Sequence, residues 1–412
     1  MGQEYTAWCR KLVDSHLEAL TVAHIAMFAV PAHGHVNPSL AVIAELVRRG
    51  HRVTFPTTAD FTEAVAASGA EPLPHDSVFP PPGRPWPYAD DDLLMAFRCF
   101  LDEAVHVLPQ VEKLYEDDRP DVVMYDIGGY AGHVLARKHG IPAIQLSPTY
   151  VAWEGYEEEV AAGVEAMVRA VPGGDDYYAD FTSWLAANGV EIPCDQFTGR
   201  PERCVALIPK VLQPNADRVS DRVSFVMPTL ADRAHQGDWT PPDDRPVLLV
   251  SLGSAFTDRP EFYRNCVEAF SGIGWHVVLQ IGARTDPAVL GEVPGDVEVH
   301  PWVPQLAILA RASAFVTHAG MGGTREGLYH GVPMIAVPQA ADQFQNADRL
   351  QELGVGLHVP ADEATPERLR QALLDLTSDP GVAARLAAIK EDLHAGGGTA
   401  KAADLVEALL RP

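Results

Sequence analysis

The residues of this chain that could do chemistry fall into two groups, one in each half. In the first half, His33-Gly34-His35-Val36-Asn37-Pro38 stands where an apolar run, Ala23 to Val30, gives way to a helical pattern. A histidine at such a junction titrates near neutrality and can take the proton of an attacking hydroxyl. The imidazolium so formed gains from a carboxylate on its other ring nitrogen. Asp126, at the end of the apolar run Asp121 to Asp126, is placed to supply one. In the second half, Thr317-His318-Ala319-Gly320-Met321-Gly322-Gly323-Thr324 runs from a strand pattern into a helical one. The glycines Gly320, Gly322 and Gly323 let the backbone approach a ligand, and a helix start turns its N–H groups outward. His318 and Thr324 add side-chain donors. That is the chemistry of a diphosphate cradle. The segment matches neither the P-loop nor the GxGxxG fingerprint, which disfavours an ATPase or a dehydrogenase.

The neighbours of the cradle extend it. Trp302-Val303-Pro304-Gln305 follows another strand pattern, with an indole that can stack on a planar base. Glu326 lies just inside the helix, where a carboxylate can hold a ribose diol. Pro338-Gln339-Ala340-Ala341-Asp342-Gln343 ends the next strand with a carboxylate and an amide, groups suited to the bidentate hydrogen bonding of sugar hydroxyls. Taken singly, Trp302 reads as core and Asp342 as a helix N-cap. Only the combination is informative.

These groups need a frame. The apolar runs Ala23–Val30, His51–Phe55, Asp121–Asp126 and Pro142–Ser147 alternate with helical stretches such as Ser39–Arg49, which is stopped by Gly50. The second half repeats the alternation with Val247–Ser251, Trp275–Ile281, Val297–His300, Ala314–Thr317 and Met334–Val337. Strands alternating with helices predict parallel sheets covered on both faces. Met227 to Pro246 is rich in Pro and Asp and reads as a linker. The expectation is an α/β chain of two doubly wound, Rossmann-like domains facing each other across a cleft. The boundaries are an N-terminal extension over 1–22, a first domain over 23–226, a linker over 227–246, a second domain over 247–395 and a C-terminal helix over 396–412 that packs back on the first domain. Residues 1–22 read as a short helical extension or an artefact of the start site and are assigned no function. In such sheets ligands bind beyond the C-terminal ends of the strands. His33–His35, Asp126, Ser251-Leu252-Gly253-Ser254 and His318–Thr324 all stand there.

Composition narrows the partners. With 412 residues the chain exceeds one hydrophobic core and suits two domains. A net charge of -25 argues against nucleic acid or an anionic membrane as a partner. It also requires a phosphorylated ligand to find local positive potential at helix N-termini and backbone N–H groups. The five cysteines are scattered singly, as expected of reduced thiols in a cytoplasmic protein. No apolar run approaches the ~20 residues that span a bilayer.

The order Trp302, Gln305, His318-x-Gly320, Glu326, Asp342-Gln343 resembles the donor-site signature of family 1 glycosyltransferases, which share the GT-B fold. The resemblance implies that Trp302 stacks on uracil and that His318, Gly320 and Thr324 take the diphosphate. Glu326 would take the ribose, Asp342 with Gln343 the sugar, and Ser251 and Ser254 would line the same pocket. The plant form differs: its Trp-to-His interval is longer, and it has Trp-Asn-Ser where Met321-Gly322-Gly323 stands here. Both differences favour a bacterial branch. Ala32–Leu40, Leu146-Ser147-Pro148, Val151–Glu158 and Val250–Thr257 resemble the bacterial macrolide glycosyltransferases, which glucosylate macrolide antibiotics and inactivate them. The likeness runs from about Ala23 to the C-terminus.

The resemblance picks His35 over His33 as base, with Asp126 as its partner. It implies in-line displacement with inversion, UDP-glucose as donor substrate, no tightly bound cofactor and no catalytic metal. Asp90-Asp91-Asp92 opens a helical run and reads as N-terminal carboxylates favoured by the helix dipole, not as a metal motif. The acceptor is expected to be a hydrophobic small molecule. Its walls would be the proline-rich loop Val78–Tyr88 with Trp86 and Tyr88, and Trp153 and Tyr156 opposite, with Tyr177 and Tyr178 as further candidates. Other acceptors stay open: a phenol, an ansamycin, or a pathway aglycone with a dTDP-deoxysugar donor. So do a non-catalytic binder of lipophilic ligands, an epimerase on the same fold, and association into a homodimer.

Overall fold

The structure is a computed structural model that describes residues 22–81, 84, 92–228, 230, 237–254, 257–340 and 342–410. Short apolar runs, buried on both faces, form its central strands. In the first half these are β1 (His24–Phe28), β2 (Arg52–Thr57), β3 (Glu71–Pro74), β4 (Val122–Tyr125), β5 (Ala143–Ser147), β6 (Cys204–Ala206) and β7 (Val223–Phe225). They pair in parallel in the order β3-β2-β1-β4-β5-β6-β7. In the second half, β8 (Val247–Ser251), β9 (His276–Gln280), β10 (Val297–His300), β11 (Ala312–Thr317), β12 (Met334–Ala336) and β13 (Gly356–His358) form a second parallel sheet. Its order is β10-β9-β8-β11-β12-β13.

Each order reverses direction once, between β1 and β4 and between β8 and β11. The chain leaves the two strands flanking such a reversal toward opposite faces, which opens a crevice at their C-terminal ends. Register decides what meets there. Phe28 lies opposite Tyr125, so the segment after β1 emerges beside Asp126. Thr317 lies opposite Ser251, so His318 emerges beside Leu252 and Gly253.

The helices that bear on the site are α1 (His33–Arg48), α2 (Leu93–Leu114), α3 (Tyr130–His139), α4 (Met321–His330), α5 (Gln343–Glu352) and α6 (Gly398–Glu407). Helix α1 starts six residues before the expected Ser39 and carries Pro38 inside it. Pro38 has no N–H to give to the Gly34 carbonyl, but its fixed φ suits a helix. The N–H groups of His35 and Val36 both bond the Ala32 carbonyl at 2.9 Å and start the helix ahead of the proline. His33-Gly34-His35 is therefore the first helical turn and not a free loop.

The first sheet is covered on both faces. Ile25, Val42, Ile43 and Leu46 pack on one side with Ala402, Ala403 and Val406 of α6. Phe28, Leu101, Val134 and Phe181 fill the other. Burying a side chain such as Val406 stabilises by about 1.5–3 kcal/mol. Arg49 donates to Asp404 at 2.6 Å and to Glu407 at 2.8 Å, pinning α6 to the first half. The halves also meet directly: α1 lies against α4, and Ala206, Ile208 and Leu212 belong to the second half's apolar core. No helix among the described residues is long and apolar enough to cross a membrane.

Candidate active site

At the reversal of the first sheet, His35 Nδ1 donates to Asp126 Oδ2. Asp126 is 1% exposed, and its Oδ1 accepts from the Gly128 N–H at 3.0 Å, which fixes the carboxylate. Burial alone would lower the imidazole pKa. The Asp126 carboxylate outweighs it by charge and hydrogen bond, Asp342 adds a further upward pull, and the net shift is upward. His33 instead packs edge-on against Phe61 with ring centroids 5.1 Å apart. Of the two histidines in the His-Gly-His pair, His35 is the one joined to Asp126.

A side chain not foreseen from sequence completes this part of the site. The Phe100 ring on α2 lies 5.7 Å from that of His35, 5.7 Å from Phe79 and 6.3 Å from Tyr130. Residues 94–100 are all half-buried, so α2 presents a partly open aromatic face beside the His35 imidazole. An aromatic on a helix reads in sequence as core. The only available signal was the pairing of Phe97 and Phe100 at helical spacing.

At the reversal of the second sheet, the His318 ring is held between two glycines. A Cβ on Gly253 would stand 2.6 Å from His318 Cε1, and one on Gly320 would stand 2.4 Å from Nε2. Gly253 also adopts φ +76°, which disfavours any side chain. These two glycines give space to the histidine ring. Burial pushes the His318 pKa down to about 4, with the Ser251 backbone opposing. Gly322 is exposed with open space above it, whereas Gly323 is buried and a Cβ on it would stand 3.3 Å from Thr317 Oγ1. Thr324 is fully buried, and among the described residues its hydroxyl has no hydrogen-bond partner.

The remaining donor-side candidates divide between exposed and buried positions. Trp302 is 58% exposed and so is no part of the core, while Val303 beside it is buried. Gln305 Nε2 donates to Glu326 Oε2 at 2.6 Å, joining two residues 21 positions apart. Ser251 is buried and its Oγ accepts from the Gly253 N–H at 3.2 Å; Ser254 is exposed. Gln343 is buried, and its Oε1 accepts from the N–H groups of Gln339 at 2.8 Å and Ala340 at 3.1 Å, bracing the turn.

Asp342 precedes α5 without capping it, and its Oδ2 accepts from Asn346 at 3.2 Å. Water reaches Asp342, yet protein surrounds it closely enough for lost hydration to raise its carboxyl pKa. That combination marks a side chain in a cleft. Helix α1 lies against α4, and His35 and Asp342 feel each other's charge, so the two reversal points border one crevice.

The acceptor-side expectations fare unevenly. Trp86 and Tyr88 lie outside the described residues. Trp153 stacks edge-on with Tyr156 at 4.8 Å and donates from Nε1 to Glu159 at 2.9 Å. Among the described residues no ring contact joins either to His35 or Phe100. Tyr177 is buried in the first half's core, and Tyr178 lies under Arg169. Asp92 caps α2, its Oδ1 accepting from the Met95 N–H at 3.0 Å; Asp90 and Asp91 lie outside the described residues. Among the described residues no group of three His, Cys, Asp or Glu is arranged to hold a metal.

Residues 265–409 match the family described as erythromycin biosynthesis protein CIII-like, C-terminal domain. The chain is 53% identical to an oleandomycin glycosyltransferase of Streptomyces antibioticus over 95% of its own length and 91% of the relative's. It is 39% identical to the NDP-glycosyltransferase YjiC of Bacillus licheniformis, over 94% of this chain and 98% of that one. The solved structure of the glycotransferase of kitacinnamycin superposes with a TM-score of 0.87 at 46% identity, covering 94% of this chain and 98% of that one. Two facing parallel-sheet domains with these relatives define a glycosyltransferase of the GT-B class, an enzyme acting on natural products. The chain belongs to the bacterial macrolide glycosyltransferases of family 1.

Proposed function

We propose that the protein transfers glucose from UDP-glucose to a hydroxyl of a macrolide antibiotic, with inversion at the anomeric carbon, and thereby inactivates the antibiotic. The observation that carries this reading is the His35–Asp126 pair on the crevice that Asp342 shares. His35 acts as general base. Its Nε2 takes the proton of the acceptor hydroxyl as that oxygen forms its bond to the anomeric carbon, and the bond from that carbon to the β-phosphate oxygen breaks. Asp126 holds the imidazole by Nδ1 and stabilises the imidazolium. The departing diphosphate meets the start of α4 and His318, where backbone N–H groups favour developing negative charge. Trp302 stacks on the uracil, the Gln305–Glu326 pair receives the ribose, and Asp342 receives the sugar hydroxyls. The relative at 53% identity, an oleandomycin glycosyltransferase by name, supports a macrolide acceptor.

The test is product mass spectrometry with UDP-glucose and a macrolide panel that includes oleandomycin, with His35→Ala run beside the unmodified protein. One added hexose that is lost in the variant is expected. No transfer to any macrolide while UDP still binds would discard the antibiotic-inactivating role and keep the nucleotide-sugar site. A second reading draws on a 32% identical relative named demethyllactenocin mycarosyltransferase: a dTDP-deoxysugar donor and a pathway aglycone. Turnover with dTDP sugars and none with UDP-glucose would select it.

A further inference from the structure

Arg325 is 1% exposed and lies in α4 between Thr324 and Glu326, yet it reaches out of its own half. Its Nη1 donates to the Leu207 carbonyl at 2.6 Å. Arg349, in α5, donates from Nε at 3.1 Å and from Nη2 at 2.8 Å to the Val211 carbonyl. Both acceptors lie on one short segment that follows β6. That segment is fixed to the first half: the Leu207 N–H bonds the Ser147 carbonyl at 2.8 Å, continuing the sheet. Gln213, 1% exposed, ties it to the loop after β5, accepting from Val151 N–H and donating to the Val151 carbonyl, each at 3.0 Å. On its other side, Ala206, Ile208 and Leu212 pack into the second half's core.

We propose that Arg325 and Arg349 are positioning residues for glycosyl transfer, which set the donor-side helices α4 and α5 in register with the acceptor-side half. A backbone carbonyl cannot turn away as a side chain does, so a bond to it fixes main-chain position. Two such anchors from two helices, four residues apart on the segment, oppose rotation as well as sliding. Helix α4 carries Thr324 and Glu326, and α5 starts directly after Asp342, so the anchors set where the anomeric carbon stands relative to His35. A misplacement of about 1 Å between reacting atoms can lower a rate by about 10²-fold. The proposal rests on reading the shared crevice as the reaction site.

The experiment uses the full chain with UDP-glucose and oleandomycin, and variants Arg325→Met, Arg349→Met, Arg349→Lys and the Met pair. The kcat is expressed per UDP-binding site, counted by calorimetry, so that misfolded protein does not enter. Each Met variant is expected to lose about tenfold or more in kcat per site with UDP affinity held. Arg349→Lys, which keeps a single cationic donor nitrogen, is expected to recover part of the loss. The double variant is expected to lose less than the product of the single losses, because both bonds serve one segment. Wild-type kcat per UDP site in both single variants overturns the proposal. Should Arg325→Met not fold, the Arg349 pair decides alone. Failure of the underlying reading looks different: His35→Ala would then keep transferring.

Discussion

At the reversal of the first sheet an imidazole meets a carboxylate; at the reversal of the second it meets two glycines. His35 and His318 occupy matching addresses, beyond strand ends that flank the switch in strand order. Both lose hydration by burial, which opposes protonation in each. What differs is the partner. Asp126 restores the charged form of His35 and carries its pKa above the usual imidazole value, whereas His318, between Gly253 and Gly320, falls to about 4 and stays neutral through physiological pH. One fold unit used twice therefore yields a histidine ready to take a proton and another suited only to hydrogen bonding. The sheet supplies the address, and the residue one strand away supplies the chemistry.

The largest effect is expected at His35. His35→Ala is expected to lower kcat by up to about 10⁴-fold with UDP affinity unchanged, in initial rates and calorimetry. Lost UDP affinity at full kcat would instead put His35 on the donor side. Asp126→Asn is expected to cost about 10²-fold and to move the pH profile. A general base acts unprotonated, so with His35 in that role its raised pKa is expected to put the acid limb of kcat/KM above 6.5, with activity rising as pH rises through it. Without the carboxylate the lowering by burial remains, and the limb shifts to lower pH. A limb that stays in place would remove Asp126 from the pair. Gly320→Ala sharpens the other side: a Cβ 2.4 Å from His318 Nε2 must displace the ring. Overpacking of about 1–3 kcal/mol predicts UDP binding weaker by about tenfold in titrations. Trp302→Ala is the mildest, with a donor KM raised about three- to fivefold and kcat retained, as expected for loss of one exposed stacking platform.

Much of this site was legible in the sequence because its residues sit at the ends of long apolar runs. β1, β4, β8 and β11 are buried throughout, or nearly so, and each is followed at once by a reactive or glycine-bearing segment. Four outlying strands were not legible: β3 reads Glu-Pro-Leu-Pro, and β6, β7 and β13 are three residues each, too short for periodicity to show. The start of α1 was masked by Pro38, which reads as a break although it sits inside the helix. Phe100 escaped because its meaning depends on a contact with His35, 65 positions earlier, that no local pattern encodes. Arg325 escaped in the same way: its partner is a backbone carbonyl in the other half.

The C-terminal helix has a consequence for how the molecule is made. Ala402, Ala403 and Val406 fill the same core as Ile25 and Ile43, although the whole second sheet separates them along the chain. A ribosome delivers those residues after β8 to β13, when the second sheet already has all its strands. The half synthesised first is thus the half finished last. Until α6 arrives, the apolar face of α1 that it covers lacks that partner, so the first core closes only after the second half has been made.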